Sequence, residues 1–528
     1  MPSVSRRRFI SGLVVAGAAT QVRPLRAWAT DPAPAPWSGD FTYAPGARVT
    51  FAGRTWRAAT ATARGQYPQG VGDGSRADRD LLLAQRTGFA QGVTGGDSGA
   101  TYVVTSTADT NTPGTLRYGL TRNVPLWIVF DKSLGPNITI ALASKLKPLA
   151  NKTVDGRGVA VTITGSYDIL IKGLGTANQI WCYVDRIVAP IVSAYAVNHG
   201  FTIDGTTASK GAPNGFDLVW LHHVGLGQTG DTILGFTKLG ASPSRVTVDW
   251  CRFGPQPGVD AWLYAYNART LGQDNSAENG KGAMCGLDPQ DGSSPDALQT
   301  TFHHNLIRGS VQRNIKVQRS RAHFFNNVVD RWGYPPLVTV PSDAKNHPDA
   351  QKYVTDYQSG SKINATNPKY GSGATEIGAD GELLSQNNVY SPYAANEEHL
   401  LSPALVAAGY LASPWLVTAP RTNPMRLFPV KLDPRVADPL IKSSGNWSPA
   451  GALTDLNLQL HPEQVFTGVT YASDSSPFAA IGSGQTRPAG DDWHNDAPYA
   501  YSLAAADAQL QSDLGVGAGN AQAWVAEA

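Results

Sequence analysis

Several β-rich segments in the middle of this chain end alike: RVTVDWCRFG (245–254), TFHHNLIRG (301–309), AHFFNNVVDRWG (322–333) and SQNNVYS (385–391). Asn305 and Asn327 hold equivalent positions in two of them, 22 residues apart. A recurrence near 20 residues with an Asn at the same turn is the mark of a solenoid, in which each coil buries its inner face only against the next. Further short runs lead into it: TYVVTST (101–107), LWIVFD (126–131), NITIAL (137–142), KTVDGRG (152–158) and VTITGS (161–166). They are of strand length and are divided by Gly, Asn, Asp or Pro. A β-sandwich would show hairpin turns every 8–12 residues or so, and few Asn-Gly or Asp-Gly turns occur. The expectation is an all-β chain built on a right-handed parallel β-helix, with asparagines stacked and hydrogen-bonded inside one turn.

Composition fits this and removes other classes. Charged residues are 16% of the 528, with 55 Gly and 36 Pro, which suits turns rather than long salt-bridged helices. Lys and Arg number 43 against 41 Asp and Glu, so no overall field draws nucleic acid or an anionic membrane. Three cysteines, Cys182, Cys251 and Cys285, make no disulfide framework.

Domain organisation follows from punctuation. Ser5-Arg6-Arg7-Arg8-Phe9-Ile10 precedes a short apolar run, and Ala27-Trp28-Ala29 offers small residues for cleavage. Residues 1–29 therefore read as a removed export signal of the twin-arginine type, because a membrane anchor needs about 20 apolar residues and this run is half that. The mature protein is expected to be secreted or periplasmic, with no membrane attachment after signal removal. A Pro-rich linker (30–36) leads to a small three-stranded β module (37–72), then a linker and lead-in (73–98). The β-helix follows (99–400), and a C-terminal cover (401–528) has one late helix over 500–514. The module resembles compact carbohydrate-binding modules, with Trp37, Tyr43 and Trp56 in the aromatic positions. Those rings either present a face for stacking sugars or form the core of a tiny domain.

Arg308, Arg313, Lys316, Arg319 and Arg321 lie in a stretch with no acidic residue, a local anion site. Around them stand His303-His304-Asn305, then Arg313-Asn314-Ile315-Lys316-Val317-Gln318, His323 and Asn326-Asn327, with VWLHH (219–223) and KGAMCGLD (281–288) upstream and PGTLRYGL (113–120) at the start. In this order, over about residues 100–335, the motifs resemble those of the pectate lyase and pectin lyase family. The resemblance implies β-elimination on α-1,4-linked galacturonan: a base takes the C5 proton beside the C6 carboxyl group, and the C4–O bond breaks. It assigns the base to Arg313, aided by Lys281, with Lys316, Gln318 and Arg319 on the substrate. An arginine has an ordinary pKa above about 12, so such a base needs cations beside it. The resemblance further implies Ca²⁺, held by Asp231 and Asp204. The polymer partner is polygalacturonate or pectin, nucleic acid is not expected, and the chain is expected to be a monomer.

Departures from the pattern keep alternatives open. The family's motif proline is Ile315, its second arginine is Gln318, the aspartate of its VWIDH strand is His222, and Gly235 stands four residues after Asp231. A pectin lyase acting on methyl-esterified chains without metal remains open, as does a polysaccharide-binding β-helix without activity. A galacturonan hydrolase needs paired carboxylates that are not found clustered on adjacent coils. The pairs His222-His223 and His303-His304 are expected to point to opposite faces of a flat strand, and so not to chelate one metal.

Overall fold

The computed structural model describes residues 33–165, 167–188, 200–205, 215–227, 232–237, 244–254, 281–286, 298–308, 313–318, 320–332, 372–377, 381–392, 399–400, 416–417, 427–432, 440–447, 479–480, 497, 499–506, 510 and 524–527. The expected signal peptide lies outside them.

Each coil of the middle region gives one strand to each of three sheets of eleven, eight and seven strands. In the largest, Gly175–Cys182 pairs with Phe216–His222, which pairs with Ser244–Asp249, then Leu298–His303, Arg321–Phe325 and Glu382–Gln386, all parallel. This is the right-handed parallel β-helix that the recurrence predicts. The ladders continue past residue 400, where the sequence reading ends them. Leu427–Leu432 pairs with Ser372–Ile377, and Leu440–Ser444 with Glu382–Gln386.

The inner face is a stack of apolar side chains in register. Val154, Trp181, Leu221, Val248, Phe302 and Phe324 follow one another from coil to coil and are fully buried. Each contributes about 1.5–3 kcal/mol of burial, and each depends on the next coil being present. At the N-terminal end, the short helix Leu116–Thr121 puts Leu116 and Leu120 into this core, so the stack does not open to water there.

The expected asparagine ladder is present and longer than the sequence suggests. Asn305 Nδ2 donates to Asn327 Oδ1 (2.9 Å), Asn327 Nδ2 to Asn388 Oδ1 (3.1 Å) and Asn388 Nδ2 to Asn446 Oδ1 (3.0 Å). The same oxygens accept the backbone N–H of the preceding Asn, so one amide both bridges coils and satisfies a buried turn. Just before it on successive coils, Tyr183, His223, Trp250, His304, Asn326 and Asn387 share a left-handed conformation with φ of 49–53°. Tyr183 stacks on His223 (4.7 Å) and Trp250 on His304 (4.3 Å).

The outer face of the eleven-strand sheet is covered by chain from both ends of the molecule. Helix Arg76–Leu83 and the loop after it pack Leu82, Leu83 and Val93 on Trp127, Ile180 and Trp220. From the C-terminal side, the Tyr499 hydroxyl lies 2.8 Å from Thr301 Oγ1 and 2.7 Å from His323 Nδ1. Residues 500–506, expected to be helical, run without regular structure because their backbone is claimed by the solenoid: Ala504 N–H donates to Asn326 Oδ1 (3.0 Å), and its carbonyl accepts from Asn326 and Asn387.

The N-terminal module has four strands rather than three. Hairpin Arg48–Phe51 and Arg54–Ala58 turns at Ala52-Gly53, both with positive φ. Ala35–Pro36, expected within the linker, pairs with the first strand, and Trp524–Ala526 from the far end of the chain pairs with the second. Trp56 is 3% exposed, with its indole N–H on the Phe51 carbonyl, and Trp37 packs 4.1 Å from Tyr67. The Tyr43 hydroxyl is tied to the Ser38 backbone. Of the two roles open to these rings, the packing one is seen.

Candidate functional site

The seven-strand sheet gathers most of the candidate residues. Its strands Ile169–Lys172, Phe201–Asp204, Thr232–Thr237, Lys281–Gly286 and Ile315–Gln318 pair in that order, in parallel. Alternation decides what faces out. Ile315 and Val317 enter the core, so Lys316 and Gln318 take the outer face; likewise Ile203 is inside and Thr202 and Asp204 outside. Ile315, where the family motif has proline, is fully buried, and its side chain fills an interior position.

Register sorts the candidates into rows. Lys172, Asp204, Thr237, Gly286 and Gln318 stand opposite one another on five successive coils. With strands about 4.8 Å apart, Asp204 and Gln318 are separated by about 14 Å. One row back are Thr202, Gly235, Met284 and Lys316. At the other end of the strands, Lys281 pairs with Thr232, and Arg313 precedes Ile315–Gln318 by two residues. Arg313 has a φ of 54°, in the left-handed region that a bulky residue occupies only when its surroundings hold it there. The Lys281 side chain, Asp231 and Arg319 lie outside the described residues.

Of the two expected calcium ligands, only Asp204 lies within the described residues. Lys172 Nζ lies 3.2 Å from Asp204 Oδ2, so this carboxylate is already neutralised by an ammonium. Among the described residues no group of three His, Cys, Asp or Glu side chains could hold a metal. Among the described residues Asp204 alone, paired with Lys172, makes no calcium site, and no chemical step is derived through the ion.

His222 lies on a different sheet and serves the packing of the cover. Its Nδ1 is 3.1 Å from both Asp249 oxygens and its Nε2 is 2.7 Å from Gln85 Oε1. Because Gln85 Nε2 donates to the Leu81 carbonyl, Gln85 Oε1 must accept and His222 Nε2 must carry hydrogen. His222 Nδ1 then faces the Asp249 carboxylate. Burial raises Asp249 to about 6 and holds the His222 ring well below its ordinary value. The flat-strand expectation for the histidine pairs fails at the turn. The left-handed backbone at His223 and His304 brings each pair edge to face, and His303 Nδ1 and His304 Nδ1 are 2.9 Å apart.

Lys172 was missed as a candidate. Its signal is the pattern apolar-x-apolar-charged in ILIK (169–172) and FTID (201–204), which sets a cation opposite a carboxylate once the two strands are in register.

No family model matches the chain. Among curated proteins it is 29% identical over 264 residues to probable pectate lyase 13 of Arabidopsis thaliana, covering 48% of this chain and 44% of that protein. It is 30% identical over 274 residues to pectate lyase 1 of Ambrosia artemisiifolia, covering 48% and 58%. The chain thus spans about half the length of the curated relatives it matches. The crystal structure of the cedar pollen allergen Jun a 1 overlays with a TM-score of 0.42 at 16% identity, covering 84% of this chain and 95% of that one, too loose an overlap to carry an argument. Over about half of its length this chain is similar in sequence to the pectate lyases, and it is itself a parallel β-helix.

Proposed function

We propose that this chain is an exported polysaccharide lyase that cleaves α-1,4-linked galacturonan by β-elimination. The reading is carried by one placement: Arg313 heads the strand whose outward side chains are Lys316 and Gln318, on the sheet that also bears the Lys281 strand. The relatives are named pectate lyases, which supports a galacturonan-type substrate.

The chemistry needs a base at C5 and positive charge where the carboxyl group becomes enolate-like. Arg313 takes the C5 proton. Lys281 and Lys316 stabilise the charge that develops on the C6 oxygens, and the electrons then expel the C4 oxygen, leaving an unsaturated sugar. Gln318 hydrogen-bonds the carboxyl group of a neighbouring unit, with Arg319 the residue after it. Export follows the twin-arginine route, and the working form is a monomer.

A second reading, a lyase acting on methyl-esterified pectin without metal, is favoured by two observations. Gln318 is neutral where an arginine would demand a free carboxylate, and Asp204 is already held by Lys172. The experiment is release of unsaturated product from polygalacturonate and from pectins of graded methylation, with and without a chelator. Absence of such product from every substrate would leave a polysaccharide-binding β-helix. Product that rises with methylation would select the second reading.

A further inference from the structure

The outer face of the eight-strand sheet carries a second group of cations. Its strands Arg186–Val188, Gly225–Leu226, Arg252–Phe253 and Leu306–Arg308 pair in parallel. Ile187, Leu226, Phe253 and Ile307 enter the core, so Arg186, Arg252, Leu306 and Arg308 face outward. Arg186, Gly225, Arg252 and Leu306 stand in one row, which puts the two arginines two coils, about 9.6 Å, apart with no side chain between them. Arg308 lies one coil further and two residues along. Beyond Arg252 the row changes character. Leu306, Val328 and Val389 are buried with Tyr67 and Leu510, whereas Arg186 and Arg252 are partly exposed and Arg308 is exposed.

The charge here is not balanced. Arg308 Nε is paired with Asp330 Oδ2 (2.7 Å), but among the described residues neither Arg186 nor Arg252 makes a hydrogen bond or ion pair. Burial and the guanidiniums of Arg186 and Arg308 push Arg252 below its ordinary value, with the exposed Asp185 working the other way. A guanidinium offers five donors, and one that is partly desolvated beside two others is stabilised by an anion.

We propose that Arg186 and Arg252, flanked by Arg308, form a second binding site for an acidic polysaccharide, each guanidinium taking a uronate carboxylate, on a face other than the one that bears Arg313. The polymer is the occupant because it repeats its carboxylate along the chain. A polymer engaged at the seven-strand sheet has other units free to reach this face, and a second contact holds it at high effective concentration. The class of ligand rests on the galacturonan reading, and the arginine cluster does not.

The test uses the full chain as wild type, as Arg186→Gln/Arg252→Gln, and as Arg54→Gln/Lys147→Gln, which removes the same charge from two exposed positions elsewhere. Electrophoretic retardation is measured in gels containing polygalacturonate, highly methylated pectin or no polymer, and KM and kcat are measured on polygalacturonate and on a short oligogalacturonate. Loss of the charge-assisted contacts should weaken retardation by polygalacturonate and raise KM for the polymer about tenfold in Arg186→Gln/Arg252→Gln, with kcat and the KM for the oligomer unchanged. Arg54→Gln/Lys147→Gln should behave as wild type. Arg186→Gln alone should show a smaller loss in the same direction, and it decides the question if the double variant does not fold. Unaltered retardation and polymer KM in the folded variants would overturn the proposal, as would an equal loss in Arg54→Gln/Lys147→Gln, which would make net charge the cause. If wild type releases no unsaturated product, the lyase reading falls, and the gel comparison still decides the role of the arginines.

Discussion

Arg313 is the residue on which the proposed chemistry turns, and its backbone gives a way to test its role apart from its fold. A left-handed conformation costs a non-glycine residue about 1–2 kcal/mol, a cost that glycine does not carry. Arg313→Gly should therefore unfold at the same denaturant concentration as wild type or a higher one, while releasing no unsaturated product. A folded Arg313→Gly variant with substantial turnover would remove Arg313 from the mechanism. At this scale the sequence was informative wherever one strand carries the chemistry, because alternation from Ile315 through Gln318 alone decides which side chains face out. It was uninformative about Asp204 and Asp231. Loops of unequal length separate their coils, and only register shows that Asp204 meets Lys172.

The turn after the eleven-strand sheet is the element that holds the coils in register. Asn327 accepts from Asn305 and donates to the Phe302 carbonyl and to Asn388 Oδ1, all within 3.1 Å. Asn327→Ala would leave buried donors and acceptors without partners, at about 1–3 kcal/mol each, so a fall in stability of several kcal/mol is expected in urea unfolding. A change below about 1 kcal/mol would mean that the ladder decorates the turn rather than holding it. The ladder was legible because its hydrogen bonding demands the same residue type on each coil. Asn446 escaped notice because its coil lies beyond the region where the sequences rhyme. The histidines packed along this sheet predict a pH response. Burial holds His222 and His223 well below their ordinary value, and His303 and His323 at about 3 and about 4. The unfolded chain binds protons at these rings near pH 6.5 and the folded chain does not, so stability falls as pH drops below 6.5, by up to about 1.4 kcal/mol per pH unit per ring. Asp249, raised to about 6, works in the opposite direction between about 3.8 and 6, one group against four. The urea midpoint should accordingly be lower at pH 5 than at pH 7, and an equal or higher midpoint would contradict this assignment of charge.

At the scale of the whole molecule, the two ends of the chain close over one face of the solenoid. Asp40 of the module accepts from His304 (2.9 Å) and from Ser502 (2.8 Å), and Arg48 pairs with Glu527 (2.7 Å). Gly65 lies so close to Trp250 that a Cβ there would stand 2.0 Å from the indole, and its own φ is +69°. Gly65→Ala should therefore loosen the docked module and lower the melting temperature of the full chain, and an unchanged melting temperature would mean the module is a separate appendage. Composition and turn signals disclosed a small β module but not its attachment. The strand that completes it lies more than 450 residues away in the chain, and nothing local marks that pairing. The central claim remains chemical: a β-helix whose Arg313 initiates β-elimination of galacturonan. The measurement that tests it most directly is ultraviolet absorbance of unsaturated product formed from polygalacturonate by wild type and by Arg313→Lys, with both shown to be folded. Wild type should generate the absorbance steadily, and Arg313→Lys should lose nearly all of it, because a flexible point charge replaces a planar group held at the head of its strand. Equal rates from the two proteins, or no absorbance from wild type on any galacturonan, would contradict the account.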